Sequence, residues 1–264
     1  MLHHLRRLAV AAAVAGAAVA AASPATADLG EILEAGTIRI GIPESFPPFG
    51  SLGPEGEYVG YDVDVATMIA EAMGVELELV PLTSAQRIPY LETDRVDLVI
   101  SSMGANAERA KSIWFSNAYA PFYSGAFAAE DLEIDGIEDL ASYSVGLTGG
   151  TLEDLALTDL APEGTEIVRF GDNSATLSAF VSGQVDVLVT GNIVAAQLGE
   201  DNPDLSLETK FILNNSPCYI GIKQGNMNLL RWVNVFILNA KLDGSLNELS
   251  LEWFGQELPE LPVH

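Results

Sequence analysis

The feature that most constrains the fold is a regular alternation of short apolar strands and amphipathic helices in both halves of the chain. The predicted strands are residues 37–42, 75–81, 96–100, 144–147, 166–170, 185–189 and 219–223. One predicted helix ends at Gly74 and has apolar residues at intervals of three and four, namely Val65, Met68, Ile69 and Ala72. This alternation predicts an α/β fold, with mostly parallel sheets flanked by helices and ligands beyond the carboxyl ends of strands.

Two short crossings that contain proline, near residues 120–124 and 214–217, indicate boundaries between two units. We expect residues 28–120 plus 216–264 to form lobe 1 and residues 121–215 to form lobe 2. A chain of this size buries about 70% of its unfolded surface, which is enough for two separate cores. The sequence therefore predicts two lobes joined by two strands.

The N-terminus is typical of an export signal. Two arginines precede an uninterrupted apolar run at residues 8–22, which is shorter than the roughly 20 residues that span a bilayer. The small residues Ala25 and Ala27 predict cleavage after Ala27, and the alternative is an uncleaved membrane anchor. No cysteine lies near this site, so a lipoprotein is not expected. We expect residues 1–27 to be a signal peptide and the mature protein to be periplasmic in a Gram-negative cell.

Charge and composition exclude several classes of protein. The chain has 37 acidic and 12 basic residues and a formal net charge of -25. Binding to nucleic acid is therefore not expected, because it depends on basic contacts with phosphates. The single cysteine, Cys218, excludes an internal disulfide and a multi-cysteine zinc site. Beyond the predicted cleavage site the one histidine is His264, so neither a histidine-dependent nucleophile nor a histidine-rich metal site is expected. We predict no metal and no cofactor.

Arg109 is the most informative basic residue. It follows Ser102 and Gly104 and lies where a helix is predicted to begin, although a positive charge at a helix N-terminus opposes the helix dipole. The placement is favourable if Arg109, the Ser102 hydroxyl and backbone N–H groups converge on a ligand anion. A guanidinium suits this purpose because it binds a carboxylate through two parallel hydrogen bonds. The alternative is that Arg109 pairs with a surface carboxylate.

A second candidate anion site is the helix predicted to begin at Thr151, after Gly149 and Gly150. The positive end of a helix favours a carboxylate. The glycine spacing does not match a nucleotide-binding loop and no lysine follows, so a nucleotide is not expected. The alternative is a tight turn with a helix cap, in which Asp154 completes a capping box with Thr151.

Other residues have both a binding and a structural interpretation. Arg87 is a further cation near the end of a predicted strand. The aromatic residues Phe46 and Tyr123 either stack on a ligand or fill the core, and Phe49 is expected in the core. Asp62 is expected to cap the helix that it begins, with no catalytic role.

Motifs spread along the whole predicted mature chain resemble those of one protein family. They are Gly60-Tyr-Asp-Val-Asp-Val65 and the segments at residues 101–116, 145–151, 183–186 and 243–255. In order and spacing they are similar to the bacterial extracellular solute-binding proteins of family 3, the periplasmic receptors of amino-acid ABC importers. The resemblance implies a two-lobed type II periplasmic-binding-protein-like fold with two hinge crossings. It also implies a monomeric receptor that is not an enzyme and that delivers a small carboxylate-bearing solute to a membrane permease.

The resemblance also implies roles for individual residues. Arg109 would bind the α-carboxylate of the ligand, assisted by Ser102 and the N–H of Gly104, and Thr151 would close from lobe 2. The other residues expected at the ligand are Ser84 and Arg87, which match the glutamate/aspartate-binding branch, together with Phe46, Gly191 and Asn192.

Three positions depart from the family pattern. Gly104 replaces a usual serine or threonine, Gly191 replaces the aspartate that pairs with the α-ammonium, and Pro43 replaces an arginine of the glutamate/aspartate branch. An ammonium that is buried without a counter-charge is costly. Either another carboxylate substitutes, or the ligand is a carboxylate without an α-amine. The candidate substitutes are Glu44, Glu153 and Asp172.

Two further functions remain open from the sequence. The same fold family includes cyclohexadienyl dehydratase-like periplasmic enzymes, which would need a general acid such as Glu153. A sensor module of a signalling receptor is the other alternative. For the receptor we expect the solute to bind lobe 1 first, after which closure about the crossings adds groups from lobe 2.

Overall fold

The computed structural model describes residues 28–262 of the chain. The predicted signal peptide and its cleavage site therefore lie outside the described residues, apart from Asp28. The strands are β1 (Thr37–Pro43), β2 (Ser51–Leu52), β3 (Tyr58–Val59), β4 (Glu76–Leu82), β5 (Leu98–Gly104), β6 (Ile113–Ala120), β7 (Tyr123–Ala129), β8 (Ser144–Thr148), β9 (Glu166–Phe170), β10 (Val187–Gly191), β11 (Leu207–Asn215) and β12 (Cys218–Lys223). The helices are α1 (Leu29–Ala35), α2 (Tyr61–Met73), α3 (Arg87–Glu92), α4 (Leu152–Leu160), α5 (Asn173–Val181), α6 (Asn192–Asp201), α7 (Met227–Leu242) and α8 (Ser245–Phe254).

The chain is a two-lobed α/β protein in which each lobe contains one five-stranded sheet. The sheet of lobe 1 has the order β4-β1-β5-β12-β6, and that of lobe 2 has the order β11-β7-β10-β8-β9. The first sheet uses strands from residues 37–120 and 218–223, and the second uses strands from residues 123–215. Helices pack on both sheets, and each lobe has its own apolar core.

The sheets are mixed, and in each of them four of the five strands run in one direction, in line with the expectation of a mostly parallel sheet. In lobe 1, β1 is parallel to β4 and β5, whereas β12 is antiparallel to β5 and β6. In lobe 2, β8 is parallel to β9 and β10, whereas β7 is antiparallel to β10 and β11. Parallel neighbours need a long crossover. The strands that come directly from the other lobe, β7 and β12, have no helical crossover before them, and they pair antiparallel.

The helix predicted from Asp62 is α2, and its left-handed Gly74 (φ 70°) ends it as predicted. Val65 and Ile69 are fully buried against the lobe 1 sheet, but Ala72 is exposed, so the predicted apolar face is one residue too long. Phe49 is fully buried, as expected for a core residue.

The two crossings lie at the junctions of β6 with β7 and of β11 with β12. The backbone N–H of Ser216 donates to the carbonyl of Phe122 at 3.1 Å, which joins the two crossings directly. Asn192, at the start of α6, accepts from the N–H of Tyr123 through Oδ1 at 3.0 Å. These hydrogen bonds place the crossings side by side, between the lobes. None of the helices within residues 28–262 is long and apolar enough to span a membrane.

Candidate functional site

A small cavity of about 20 Å³ lies between the lobes. One water molecule needs about 10–15 Å³ on this measure, so the lobes are closed against each other. Lobe 1 and the crossings contribute Phe46, Ser84, Arg87, Ser102, Gly104, Arg109, Phe122 and Ser216 to the lining. Lobe 2 contributes Thr151, Leu152, Glu153 and Asn173.

Direct contacts between the lobes surround the cavity. Arg109 Nη2 donates to the carbonyl of Gly150 across the cleft at 2.9 Å. The hydroxyl groups of Ser45 and Ser174 are hydrogen bonded on the rim. A Cβ atom at Gly104 would collide with the side chain of Leu152 from the opposite lobe and with the Ser216 hydroxyl. The absence of a side chain at Gly104 therefore allows this close approach of the lobes.

Arg109 lies inside the cleft and is 8% exposed. Its segment is a single 3-10 turn, Arg109–Lys111, rather than the predicted helix, and Asn106 Oδ1 accepts from its backbone N–H at 2.8 Å. Nη1 donates to the carbonyl of Gly104 at 2.9 Å. Burial lowers the pKa of Arg109 to about 10, Arg87 lowers it as well, and the Glu153 carboxylate opposes both effects. The guanidinium is thus a desolvated cation without a salt bridge to any described carboxylate.

Arg87 is the second cation of the cavity and is 5% exposed. It begins α3, and Pro89 is tolerated in the first turn because an N–H there has no helical partner. Among the described residues, its guanidinium hydrogen bonds through Nε to Ser101 Oγ at 3.1 Å. Burial lowers the pKa of Arg87, and the charges of Asp62 and Glu153 oppose this effect. Two guanidinium groups therefore share one small, poorly solvated site.

Three serine hydroxyls complete the part of the lining that surrounds these cations. Ser84 Oγ, Ser102 Oγ and Ser216 Oγ are buried and have no hydrogen-bond partner within residues 28–262. Buried polar groups are hydrogen bonded in most proteins, so three unpaired hydroxyls in one cavity indicate a ligand-binding function. Ser102 also has a φ of 41°, in the left-handed region that non-glycine residues seldom occupy.

Lobe 2 presents the N-terminus of α4 to the cavity. Thr151 caps this helix: its hydroxyl accepts from the N–H of Asp154 at 3.2 Å and donates to the carbonyl of Thr148 at 2.9 Å. The predicted capping box is only half formed, because Asp154 Oδ2 accepts from Gly150 N instead. The Thr151 hydroxyl is therefore engaged inside lobe 2.

Glu153 is the carboxylate that lines the cavity. It is 8% exposed and makes no hydrogen bond to the described part of the chain, while its charge acts on both Arg87 and Arg109. Of the other two candidates for a counter-charge, Glu44 is exposed. Asp172 caps α5, where its side chain accepts from Ala175 N at 2.8 Å.

Gly191 and Asn192 lie outside the lining of the cavity, whereas the other residues that the family resemblance places at the ligand all line it. A Cβ atom at Gly191 would collide with the ring of Phe122, which fills the space that a side chain there would need. Asn192 instead supports the crossing at Tyr123. Tyr123 is also outside the lining, whereas Phe46 is part of it, with its ring centroid 6.4 Å from that of Phe122.

Sequence reasoning did not single out Phe122, Leu152, Asn173 and Ser216. Two of them, Phe122 and Ser216, are in the predicted crossings, and a crossing between two lobes is close to any cleft between them. That position could have identified both residues.

Asp62 does not cap α2, so this expectation is wrong. The N-cap residue is Gly60, and Asp62 is completely buried in the second position of the helix. Asp62 accepts from Ser102 N at 2.7 Å and from the Tyr119 hydroxyl at 2.6 Å. The aspartate therefore supports the cavity from behind.

Comparisons with known proteins agree on the family. The L-cystine-binding protein TcyJ of Escherichia coli (strain K12) is 28% identical over 263 residues, which cover 97% of this chain and 98% of TcyJ. A solved structure of an ancestral arginine-binding protein bound to arginine has a TM-score of 0.79 and 31% identity, and the match covers 83% of this chain and 99% of that chain. Cyclohexadienyl dehydratase of Pseudomonas aeruginosa is 29% identical over 182 residues, 67% of each chain.

These matches bear out the predicted two-lobed type II fold of periplasmic binding proteins. Further relatives are named for the binding of arginine, glutamine and histidine. The family described as bacterial extracellular solute-binding proteins, family 3, matches residues 38–256. With its two closed lobes and a cationic cavity between them, the chain belongs to this family.

Proposed function

We propose that this protein is the periplasmic solute-binding receptor of an ABC importer, and that it captures a small carboxylate-bearing solute, a polar or acidic amino acid. The observation that carries the proposal is the lining of the interlobe cavity. Two buried guanidinium groups, Arg87 and Arg109, share this space with three unpaired serine hydroxyls and the carboxylate of Glu153.

Arg109 is the proposed partner of the α-carboxylate. Its pKa is lowered chiefly by burial, so an anion beside it would compensate a charge that water solvates poorly here. A carboxylate is suitable because the planar guanidinium can offer it two parallel hydrogen bonds. Ser102 Oγ is a further donor with no competing partner among the described residues.

Glu153 is the proposed partner of an α-ammonium. It is the one carboxylate in the lining, and it takes the role for which the family usually has an acidic residue at position 191. An ammonium between Glu153 and the Phe46 and Phe122 rings would also be attracted to the aromatic faces. We thus propose an amino acid rather than a carboxylate without an amine.

Arg87 and Ser84 define the side-chain end of the proposed solute. A carboxylate or amide could accept from the guanidinium, whose observed hydrogen bond uses only Nε, and from the unpaired Ser84 hydroxyl. This is the basis for a polar or acidic side chain. A long apolar side chain would leave these groups unsatisfied, at a cost of about 1–3 kcal/mol for each buried donor.

Closure of the lobes would couple binding to transport. Solute would bind to the groups of lobe 1 and then be enclosed when the α4 N-terminus approaches, since Glu153 belongs to the opposite lobe. In the closed form hydrogen bonds to the solute are strengthened by the low local dielectric. We propose that a membrane permease of an ABC transporter recognises this closed form and that the receptor acts as a monomer.

The test is a calorimetric screen of acidic, polar and amine-free carboxylates against the purified protein. Arg109→Ala should reduce the affinity for the best solute by at least about thirtyfold, because the loss of one partner of a buried charge pair costs about 2–5 kcal/mol. Arg231→Ala is the matched control, since Arg231 is exposed on α7, outside the cavity. Undiminished binding by Arg109→Ala would contradict the proposal.

A second candidate function is a dehydratase reaction of the cyclohexadienyl type. It is favoured by the buried position of Glu153, which could serve as a general acid, and by the similarity to the dehydratase of Pseudomonas aeruginosa. Incubation with prephenate or arogenate should yield no aromatic product if the receptor proposal is correct. Turnover that is lost in Glu153→Gln would establish the enzyme instead.

A further inference from the structure

Asp62 is a fully buried carboxylate directly behind the cavity. Its two oxygens are used by different groups: Oδ2 accepts from the backbone N–H of Ser102 at 2.7 Å, and Oδ1 accepts from the Tyr119 hydroxyl at 2.6 Å. The Tyr119 oxygen is itself 3.3 Å from Ser102 N. Asp62, Tyr119 and Ser102 thus form one buried hydrogen-bonded group.

The conformation of Ser102 depends on this group. Its φ of 41° is unfavourable for a serine, and the hydrogen bond from its N–H to a carboxylate is of the strong, charge-assisted type. In this conformation the Ser102 side chain lines the cavity, and its hydroxyl has no partner within residues 28–262. Asp62 therefore holds a candidate ligand donor in place without touching the ligand.

Asp62 also interacts with a cation of the cavity. The titratable groups that face it are Tyr61 of α2, Arg87 of α3, Tyr119 of β6 and Cys218 of β12. Burial raises the pKa values of the two tyrosines and of the cysteine, so these groups are neutral. Arg87 is the positive charge among these groups, and it also lines the cavity.

At neutral pH the ionised and protonated forms of Asp62 are about equally favoured. Burial raises the pKa of this carboxyl to about 7, against the hydrogen bonds from Tyr119 and Ser102 and the charge of Arg87. Anything that weakens the interaction of Asp62 with Arg87 will favour the protonated form.

We propose that Asp62 is a positioning residue that takes up a proton when a solute with a second negative charge binds against Arg87 and Ser84. This inference rests on the proposed receptor function. The solute carboxylate adds a negative charge near Asp62 and competes with it for Arg87. A proton from solvent then adds to the Asp62 carboxylate to give the neutral acid, and no other covalent bond changes. The Tyr119 hydroxyl can accept as well as donate, so it remains a partner of the protonated form.

The chemistry of the solute follows from this linkage. A dicarboxylic amino acid would bind together with up to one proton, and its affinity would fall as the pH rises above 7. An uncharged amide of the same shape would bind without proton uptake, because it leaves the charge of Asp62 unchanged. Asp62 would thereby make the relative affinity for acid and amide dependent on pH.

The experiment compares L-glutamate with L-glutamine by titration calorimetry at pH 7.5 in phosphate and in Tris. The difference in binding enthalpy between the two buffers gives the number of protons taken up. For L-glutamate we expect uptake of up to about one proton and an affinity that falls by up to about tenfold per pH unit between pH 7 and 9. For L-glutamine we expect neither effect.

The variant Asp62→Asn should bind L-glutamate without proton uptake and with an affinity independent of pH over the same range. The matched control is Asp64→Asn, two residues further along α2. The Asp64 carboxylate accepts from Trp253 Nε1 at 2.6 Å and lies outside the cavity lining. The control should retain the proton uptake of the unchanged protein. Because the calorimetry of the unchanged protein is decisive alone, the test does not depend on folding of Asp62→Asn.

The outcomes separate this inference from the proposed function. If L-glutamate binds without proton uptake, or if Asp62→Asn retains the uptake, the role of Asp62 is overturned and the receptor function stands. If neither probe binds, the proposed solute class fails and the role of Asp62 fails with it.

Discussion

The two lobes contribute to the cavity in different ways. Lobe 1 supplies both cations and Ser102, and each of them makes a hydrogen bond within that lobe: Arg87 to Ser101, Arg109 to the carbonyl of Gly104, and the Ser102 N–H to the buried Asp62. Lobe 2 supplies one charged group, Glu153, while the hydroxyl of Thr151 is used for its own helix cap. The lobe 1 groups are therefore held mainly by contacts within their own lobe, and lobe 2 adds a single counter-charge. The difference suggests that lobe 1 determines affinity for a carboxylate, whereas lobe 2 determines whether an amine is required.

The largest expected effect is on the pH dependence of stability, and it tests whether buried Asp62 supports lobe 1. The folded protein holds the Asp62 proton more tightly than the unfolded chain, since the pKa is about 7 when folded and about 3.9 when unfolded. Protonated Asp62 therefore contributes fully to the free energy of unfolding below pH 4, and this contribution is lost as the pH rises through 7. The free energy of unfolding decreases by about 4 kcal/mol as a result.

Urea unfolding of the unchanged protein and of Asp62→Asn at pH 4.5, 6 and 8 measures that contribution. The stability of Asp62→Asn relative to the unchanged protein should increase with pH, because the asparagine does not titrate. A difference that is the same at all three pH values would show that lobe 1 does not depend on this titration.

The next effect tests the assignment of affinity to lobe 1. Arg87→Met retains most of the buried apolar volume but removes the charge, so affinity for an acidic solute should fall about a hundredfold or more. Binding of a neutral amide should fall less. Equal losses for the acid and the amide, measured by calorimetry, would remove Arg87 from the recognition of charge.

A smaller effect is expected from lobe 2. Glu153→Gln should weaken binding of an amino acid by roughly tenfold to a hundredfold, because one charge-assisted hydrogen bond of about 1.5–3 kcal/mol is replaced by a neutral one. The corresponding amine-free carboxylate should bind as well as before or better. If the amine-free compound is affected as strongly, the division of roles between the lobes is incorrect.

The smallest effect concerns closure itself. Ser174→Ala removes the hydroxyl that contacts Ser45 across the rim, an exposed hydrogen bond with a net value of about 0.5–1.5 kcal/mol. Solute dissociation should accelerate by up to about tenfold, as followed by stopped-flow fluorescence, with little change in thermal stability. An unchanged dissociation rate would mean that this contact does not hold the lobes together.

The two-lobed α/β fold could be predicted from sequence because it depends on patterns that are repeated many times. The strands β6 and β7 were not predicted, since alanine, glycine and serine occupy many of their buried positions and leave no clear apolar alternation. The antiparallel pairing of β7 and β12 was not predicted, because strand–helix alternation indicates parallel pairing only.

The candidate site was partly predictable. Arg109 could be singled out because cations are scarce and because it would oppose the dipole of the helix predicted there, although the segment forms only a 3-10 turn. Glu153 could not be separated from Glu44 and Asp172, since the choice depends on which of them faces the cleft after closure. The same holds for Gly191, whose exclusion from the lining is due to the Phe122 ring, a contact between positions 69 residues apart. Asp62 was misjudged because its position in the sequence is typical of a helix cap, and only the tertiary packing shows that Ser102 and Tyr119 bind it.

Gly104 has a consequence for the range of solutes that the protein can accept. The backbone of Gly104 packs closely against the Leu152 side chain of the other lobe. Any side chain at this position would therefore keep the lobes farther apart. The upper limit on solute size would then be set by the distance of closest approach between the lobes, and not by the groups that recognise the solute. Relatives with a larger residue at this position would enclose a wider chamber with the same polar groups, so size and chemical selectivity could change independently during evolution.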